Sequence, residues 1–245
     1  SKITKQKSKK DSRISRLRTR AMVKIQEGCN QVCSYCIVPK VRGRERSVEV
    51  KNILNKISSL ERDGVKEVVL TGTQLISYGF DLPKGNLKKL LQSILSDCSI
   101  PRIRISSLQP QIIDEELINL WSNPRLCPHF HIPLQSGSDK LLGRMKRRYN
   151  TSMFKEKVNL IRDLVPKASI TTDVIVGFPG ESNSDFQNTY DLCQEIEFAY
   201  THTFPYSNRP GTSAAHFDNT VQPLVKRERV NKLMELSKKK EDAYM

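Results

Sequence analysis

Three cysteines crowd into one short stretch, GCNQVCSYCIVP, where Cys29, Cys33 and Cys36 are spaced C-x3-C-x2-C. Thiolates are soft donors that converge readily on a metal centre. A structural zinc closes with four ligands and a disulfide with two, so a local group of three leaves a position open. A zinc site would need a fourth ligand, and His129, His131, His202 and His216 all lie far along the chain. Cys98, Cys127 and Cys193 are isolated from the group and read as small buried hydrophobes in helix or strand-edge contexts.

The elements that must position this loop follow from the apolar periodicity. Short β-branched runs alternate with longer amphipathic ones from about residue 21. AMVKIQE (21–27), KEVVLTG (66–72), RIRISSL (102–108), HFHIPLQS (129–136), SITTDVIVGF (169–178) and THTFPY (201–206) read as strands. Between them, 47–64, 86–98, 114–123, the pair SDKLLGRMKRR and SMFKEKVNLIRDLV, and 182–198 read as helical, with Ser47 and Ser182 as caps and Gly64 as a stop. Six strand-helix units imply an α/β fold with a parallel sheet wrapped by helices.

Alternation within the strands refines that picture. Phe130, Ile132 and Leu134 share one face and His129, His131 and Gln135 the other; Ile103 and Ile105 oppose Arg102, Arg104 and Ser106. Ile170, Thr172, Val174 and Val176 likewise oppose Thr171, Asp173 and Ile175. One polar face per strand suits a barrel with a solvated lumen better than a doubly wound sheet buried on both sides. Thr71, Ser106, Gln135 and Asp173 fall at the C-terminal strand ends, where such barrels hold their sites.

Bulk properties bound the partners. The 245 residues suffice for one large domain, and six cysteines are too few for a disulfide-stapled secreted scaffold. Residues 1–20 contain no apolar run resembling a signal peptide, and no stretch approaches a membrane span, so a cytoplasmic protein without membrane contact is expected. The formal net charge is +15, with nine Lys or Arg and one Asp in the first 20 residues. That run reads as a basic flexible segment, but the remaining 225 residues still carry +7, which favours a nucleic-acid partner bound in a salt-sensitive way.

The cysteine spacing, its place just after the first strand, and Tyr35 before the last cysteine resemble the radical S-adenosylmethionine (SAM) signature. The resemblance implies a partial (β/α)6 TIM-like barrel whose three thiolates hold three irons of a 4Fe-4S cluster. It further implies that the fourth iron chelates SAM, and that one electron splits the sulfonium to give a 5'-deoxyadenosyl radical. TRAMVKIQEGCNQVCSYCIVPKVRGRERS, EVVLTGTQLISYG, CPHFHIPLQSGSD, MKRRY, TTDVIVGFPGE and FPYSNRPGT, in that order, narrow the likeness. Together they resemble the tRNA methylthiotransferases, and among them the MtaB-like branch, which acts on N6-threonylcarbamoyladenosine at position 37 of tRNA.

Residue roles carry over by motif. Cys29, Cys33 and Cys36 would be the metal ligands. Tyr35 matches an aromatic beside the SAM adenine, Thr71 and Gly72 a strand end that binds the SAM amino group, and Ser106 a residue near its ribose. Gln135 belongs to the next mouth segment and Gly177 would pack on adenine; apart from the motifs, charge complementarity would pair Arg147 with the SAM carboxylate, and Asp173, at a strand end facing the lumen, would bind ribose hydroxyls or a substrate group. Here Thr-Gly replaces the superfamily's Gly-Gly-Glu, and Asn208 stands where the family usually has proline.

The resemblance implies 21–220 as the barrel and 221–245 as a helix leading toward a C-terminal TRAM domain, with an N-terminal domain carrying a second cluster before the barrel. Expected partners are tRNA, a one-electron reductant and a sulfur source. Rival readings are a branch acting on isopentenyladenosine or on a ribosomal-protein aspartate, or a zinc-stabilised RNA-binding module without catalysis.

Overall fold

The computed structural model describes residues 19–83 and 85–244. Most of the basic segment expected at 1–20 lies outside the described residues.

The first expected strand is interrupted. β1 (Arg20–Lys24) ends one residue before β2 (Gln26–Glu27), and the break falls at Ile25. Ile25 donates its N–H to the Thr71 carbonyl and accepts from the Val48 N–H, so it bonds to two different elements. β2 turns away to pair antiparallel with β3 (Arg46–Ser47), and the loop between them carries the cysteines and the short α1 (Val38–Arg42). Ser47 is not a helix cap: α2 (Val50–Arg62) starts after Glu49 with no capping side chain. The Ser47 hydroxyl instead accepts from the Gly79 N–H at 2.8 Å, fastening β3 to a later loop. Gly64 does follow the helix end, at φ +81, a conformation that favours glycine.

The remaining units follow the expected order. β4 (Glu67–Thr71) leads to α3 (Leu87–Asp97), capped by Asn86. β5 (Arg102–Ile105) leads to α4 (Glu115–Ile118), which tightens into a 3-10 turn over Asn119–Ser122. β6 (His129–His131) precedes α5 (Asp139–Arg144) and α6 (Thr151–Leu164), and β7 (Ser169–Val176) precedes α7 (Asn183–Ile196). α7 opens with a full capping box, Ser182 and Asp185 each accepting the other's backbone N–H. β8 (Tyr200–Pro205) and α8 (Pro223–Tyr244) complete the chain.

β1, β4 and β5 pair in parallel, as do β6, β7 and β8, and a parallel bridge from Ser107 to His131 joins the two groups. The result is six parallel strands in sequence order, an α/β partial barrel; among the described residues β1 and β8 do not pair with each other. Parallel neighbours require crossovers, which the helices supply. The apolar faces read from the sequence are those turned to the helices: Ile103, Ile105, Phe130, Ile132, Val174 and Val176 are all buried in the main core. Each fully buried side chain of this size contributes about 1.5–3 kcal/mol relative to exposure.

The opposite faces are polar and meet inside. At the N-terminal end Glu67 accepts ion pairs from Arg20, Arg102 and Arg104. Burial works against its charge, but the guanidinium groups hold its carboxyl below the usual range. Further up, His131 contacts the Thr171 hydroxyl at 2.9 Å and the Asp173 carboxylate at 3.1 Å.

α8 packs on the barrel. Leu233 and Leu236 join the main core, and the Ser237 hydroxyl accepts the Thr201 N–H of β8 at 3.0 Å. Arg229 and Glu181 form an ion pair whose side chains are 6% and 1% exposed. No helix among the described residues is long and apolar enough to cross a membrane.

Candidate cofactor site and barrel mouth

The cysteine loop sits over the C-terminal end of the strands because its backbone is tied there. Ser34 donates its N–H to the Met145 carbonyl at 3.1 Å, and its own carbonyl accepts from the Ala214 N–H at 2.7 Å. Cys29 donates its N–H to the Gly43 carbonyl, closing the loop at its base. Gly28 has φ +78, and a Cβ there would lie 2.0 Å from the Arg44 carbonyl oxygen, so only glycine fits.

Cys29, Cys33 and Cys36 are free, partly buried, and line one cavity of about 170 Å³ with Gln31, Gln74, Gln109, Gln135, Tyr35 and Arg147. The lining contains no histidine, aspartate or glutamate. Among the described residues no three such side chains or cysteines close around a point the size of one ion. Three cysteine thiols in the wall of one cavity, with no histidine or carboxylate in that lining, are a donor set that fits a 4Fe-4S cluster held at three corners. Burial pushes the Cys29 and Cys36 thiols up, so positive charge must offset the cost of their thiolates.

One such charge is in place. The Arg147 guanidinium donates to Cys33 Sγ at 3.4 Å and to the Tyr149 hydroxyl at 3.1 Å, and lies 4.9 Å from the Tyr149 ring centre. The Tyr149 hydroxyl in turn reaches the Pro133 carbonyl at 2.6 Å, and burial pushes its pKa up to about 12. Arg147 is therefore a fixed cation, oriented by a neutral phenol.

Four glutamines support the loop from the other side. The Gln31 backbone N–H donates to Cys29 Sγ at 3.4 Å, and its side-chain amide donates to Gln109 at 3.2 Å. Gln109 donates to Gln74 Oε1 at 2.9 Å, and Gln26 Oε1 accepts from the Gln74 backbone N–H at 2.8 Å. Gln26 closes the chain by donating to the Gly28 carbonyl at 2.8 Å.

A second cavity, of about 260 Å³, shares Tyr35, Cys36 and Gln135 with the first and extends to Asp173, Phe204, Tyr206 and Arg209. Gln135 has φ +65 and bridges to Val174, which places it between the two spaces. Tyr35 packs edge-on to Phe178 with centroids 6.5 Å apart, and burial pushes its hydroxyl pKa up. The Tyr206 hydroxyl is buried with no hydrogen-bond partner among the described residues. Asp173 is held by His131 from below.

The structure thus brings together seven of the expected residues: the three cysteines, Tyr35, Gln135, Arg147 and Asp173. Four others line neither cavity. The Thr71 hydroxyl turns to the Val23 carbonyl at 3.4 Å. Gly72 leaves room for Leu75 and Gln26, whose side chains would meet a Cβ at 2.6 and 3.0 Å. The Ser106 hydroxyl is buried without a partner among the described residues, and its neighbour Ser107 lines the cysteine cavity instead. Gly177 donates its N–H to Glu181 at 2.6 Å and lies under Lys226, which a Cβ would strike at 2.3 Å. The glutamines were missed because their order emerges only from strands far apart in sequence; the position of Gln31 between two cysteines was the one local sign.

The Radical SAM superfamily profile matches residues 23–193, and the chain belongs to this superfamily. That membership assigns it a 4Fe-4S cluster and SAM as cofactors. Threonylcarbamoyladenosine tRNA methylthiotransferase MtaB of Aquifex aeolicus (strain VF5) is 45% identical over 227 residues, 92% of this chain and 55% of that protein. A tRNA-2-methylthio-N(6)-dimethylallyladenosine synthase of Clostridium tetani (strain Massachusetts / E88) is 43% identical over 223 residues, 90% of this chain and 49% of that protein. The chain therefore spans about half the length of these curated relatives. Among solved structures, the radical SAM methyltransferase TsrM from Kitasatospora setae has a TM-score of 0.65 at 18% identity, covering 79% of this chain and 38% of that one. Coproporphyrinogen III oxidase (HemN) from Escherichia coli has a TM-score of 0.64 at 13% identity, covering 90% and 52%. These two share the fold.

Proposed function

We propose that the chain is the radical SAM barrel of a tRNA methylthiotransferase, adding a methylthio group to C2 of N6-threonylcarbamoyladenosine-37. The observation that carries the reading is the meeting of Cys29, Cys33, Cys36 and Arg147 in one cavity that shares a wall with a second. The relatives named MtaB at 45% and 43% identity support the threonylcarbamoyl branch. A dimethylallyladenosine synthase at 43% identity favours the sister branch as the second reading.

In this assignment Cys29, Cys33 and Cys36 hold the cluster and leave one corner to SAM. When bound, the two cofactors supply one-electron cleavage of a sulfonium and hence removal of hydrogen from an unactivated C–H bond. The protein's own part is placement and charge. Arg147 sets a permanent cation beside Cys33, Gln135 divides the two cavities, and Tyr35 with the half-exposed Phe204 offers aromatic surface to a planar ring. Asp173, held by His131, presents an acceptor for hydroxyl groups in the second cavity.

The domain reading assigns 21–220 to the barrel and 221–245 to the terminal helix, which here contributes to the core. Sulfur delivery and the electron donor belong to partners or flanking domains, so this chain alone should bind a cluster and cleave SAM but methylthiolate poorly. The branch is tested by mass analysis of tRNA nucleosides from cells lacking the gene. Loss of the methylthio-threonylcarbamoyl nucleoside is expected; loss of the methylthio-isopentenyl nucleoside would move the assignment to the second reading.

A further inference from the structure

Three segments border the two cavities: 28–44, which includes the cysteine loop, 143–150 and 206–217. They are stitched together through Ser34, which bonds to the Met145 carbonyl and to the Ala214 N–H. Together they contain eight Lys or Arg and no Asp or Glu. Arg147 points into the cysteine cavity, Arg42 reaches Glu27, and Arg144 lies over the Phe217 ring. The other five, Lys40, Arg44, Lys146, Arg148 and Arg209, are exposed, and none has an ion-pair partner among the described residues. Elsewhere, exposed lysines do find carboxylates: Lys155 pairs with Glu195, and Lys140 with Asp185.

Uncompensated cations on three separate segments that border the cavities repel one another, which is tolerated when a polyanion completes the surface. The second of these cavities has Phe204, 49% exposed, in its wall beside Tyr206 and Asp173. Lys40 and Arg209 tie the rim to that cavity. Lys40 Nζ comes within 3.4 Å of where a Cβ on Gly211 would sit, and Arg209 lines the cavity itself.

We propose that Lys40, Arg44, Lys146, Arg148 and Arg209 form a phosphate-binding rim. It grips the RNA backbone on both sides of a nucleotide whose base is turned out into the second cavity, against Phe204. The proposal rests on the RNA-modifying reading above and deepens it by assigning the surface that holds the substrate. Chemistry on a base requires taking it out of its stack, and the neighbouring phosphates must be held while that happens. Aromatic surface inside a cationic border is the combination that binds unpaired nucleotides of any sequence.

The test is binding of the reconstituted chain to a fluorescent RNA hairpin with an adenosine-containing loop, followed by anisotropy from 50 to 300 mM KCl. Lys40→Ala/Arg44→Ala and Lys146→Ala/Arg148→Ala are compared with the control Lys155→Ala/Lys157→Ala on the far helix. Each phosphate contact contributes about 0.7–0.9 to the slope of log K against log salt. Each rim pair is therefore expected to flatten the slope by roughly 1–2 and to weaken binding about tenfold or more near 150 mM salt. The control should change neither. Equal slopes for rim variants and wild type, or an equal loss in the control, would overturn the proposal, with thermal unfolding used to confirm that each variant is folded. The outcomes separate from the functional reading: SAM cleavage without rim-dependent RNA binding removes the rim alone, and rim-dependent binding without a SAM-responsive cluster removes the enzyme reading alone.

Discussion

Arg147 is the residue whose role is most open to measurement. A guanidinium 3.4 Å from a cysteine sulfur stabilises negative charge on that sulfur, and cluster potentials respond to hydrogen bonds and charge near their ligands. Removing the cation disfavours the more negative, reduced state. Arg147→Leu is expected to lower the reduction potential of the bound cluster by roughly 60 mV, the equivalent of a tenfold change for a one-electron couple. A redox titration followed by electron paramagnetic resonance measures this; an unchanged potential would assign Arg147 to packing on Tyr149. The sequence pointed to this arginine, but toward the SAM carboxylate; its bond to Cys33 spans 114 positions and cannot be read from local pattern. Thr71 and Gly177 each match a family motif; the bond of the Thr71 hydroxyl to the Val23 carbonyl and the packing of Lys226 over Gly177 join residues 48 or more positions apart and are equally invisible to local pattern.

At the scale of elements, strand order and inward polar faces were legible because period-2 alternation sorts side chains without reference to neighbours. The break at Ile25 and the uncapped start of α2 were not, since both depend on bonds to Thr71, Val48 and Gly79 made only when the sheet forms. α8 reads from the sequence as a charged helix, and the contacts that dock it on β8 and the main core exist only in the folded chain. Its Arg229 pairs with the buried Glu181 carboxyl, whose pKa burial pushes up against the opposing pull of the Gly177 N–H and of Arg229 itself, and also donates to Asn183 at 2.8 Å. Arg229→Ala is expected to destabilise the fold by about 3–5 kcal/mol in urea unfolding, because it strands a buried acid. The double variant Arg229→Met/Glu181→Leu should recover most of that loss. If the double is no more stable than the single, the ion pair is not what seats the helix.

For the whole molecule, the polar lumen links fold to pH. Burial and the nearby charges of Arg104 and His131 push the His129 pKa from its ordinary 6.5 down to about 4, and its Nδ1 has no partner among the described residues. Between pH 6.5 and 4 the unfolded chain therefore binds a proton that the folded chain refuses, so stability rises with pH across that window. Allowing for partial solvent access, about 1 kcal/mol should be lost between pH 7 and 5. Urea midpoints for wild type and His129→Asn test this; the variant should show a shallower dependence, and parallel curves would contradict it.

The same architecture gathers chemistry at the other end of the strands, where the cysteine loop, Arg147 and the second cavity meet. Electron paramagnetic resonance of the reduced, reconstituted chain, titrated with SAM, reads that meeting most directly. A 4Fe-4S signal that changes shape on adding SAM, with 5'-deoxyadenosine released on reduction, is the expected result. A signal indifferent to SAM, in protein carrying a full complement of iron, would contradict it.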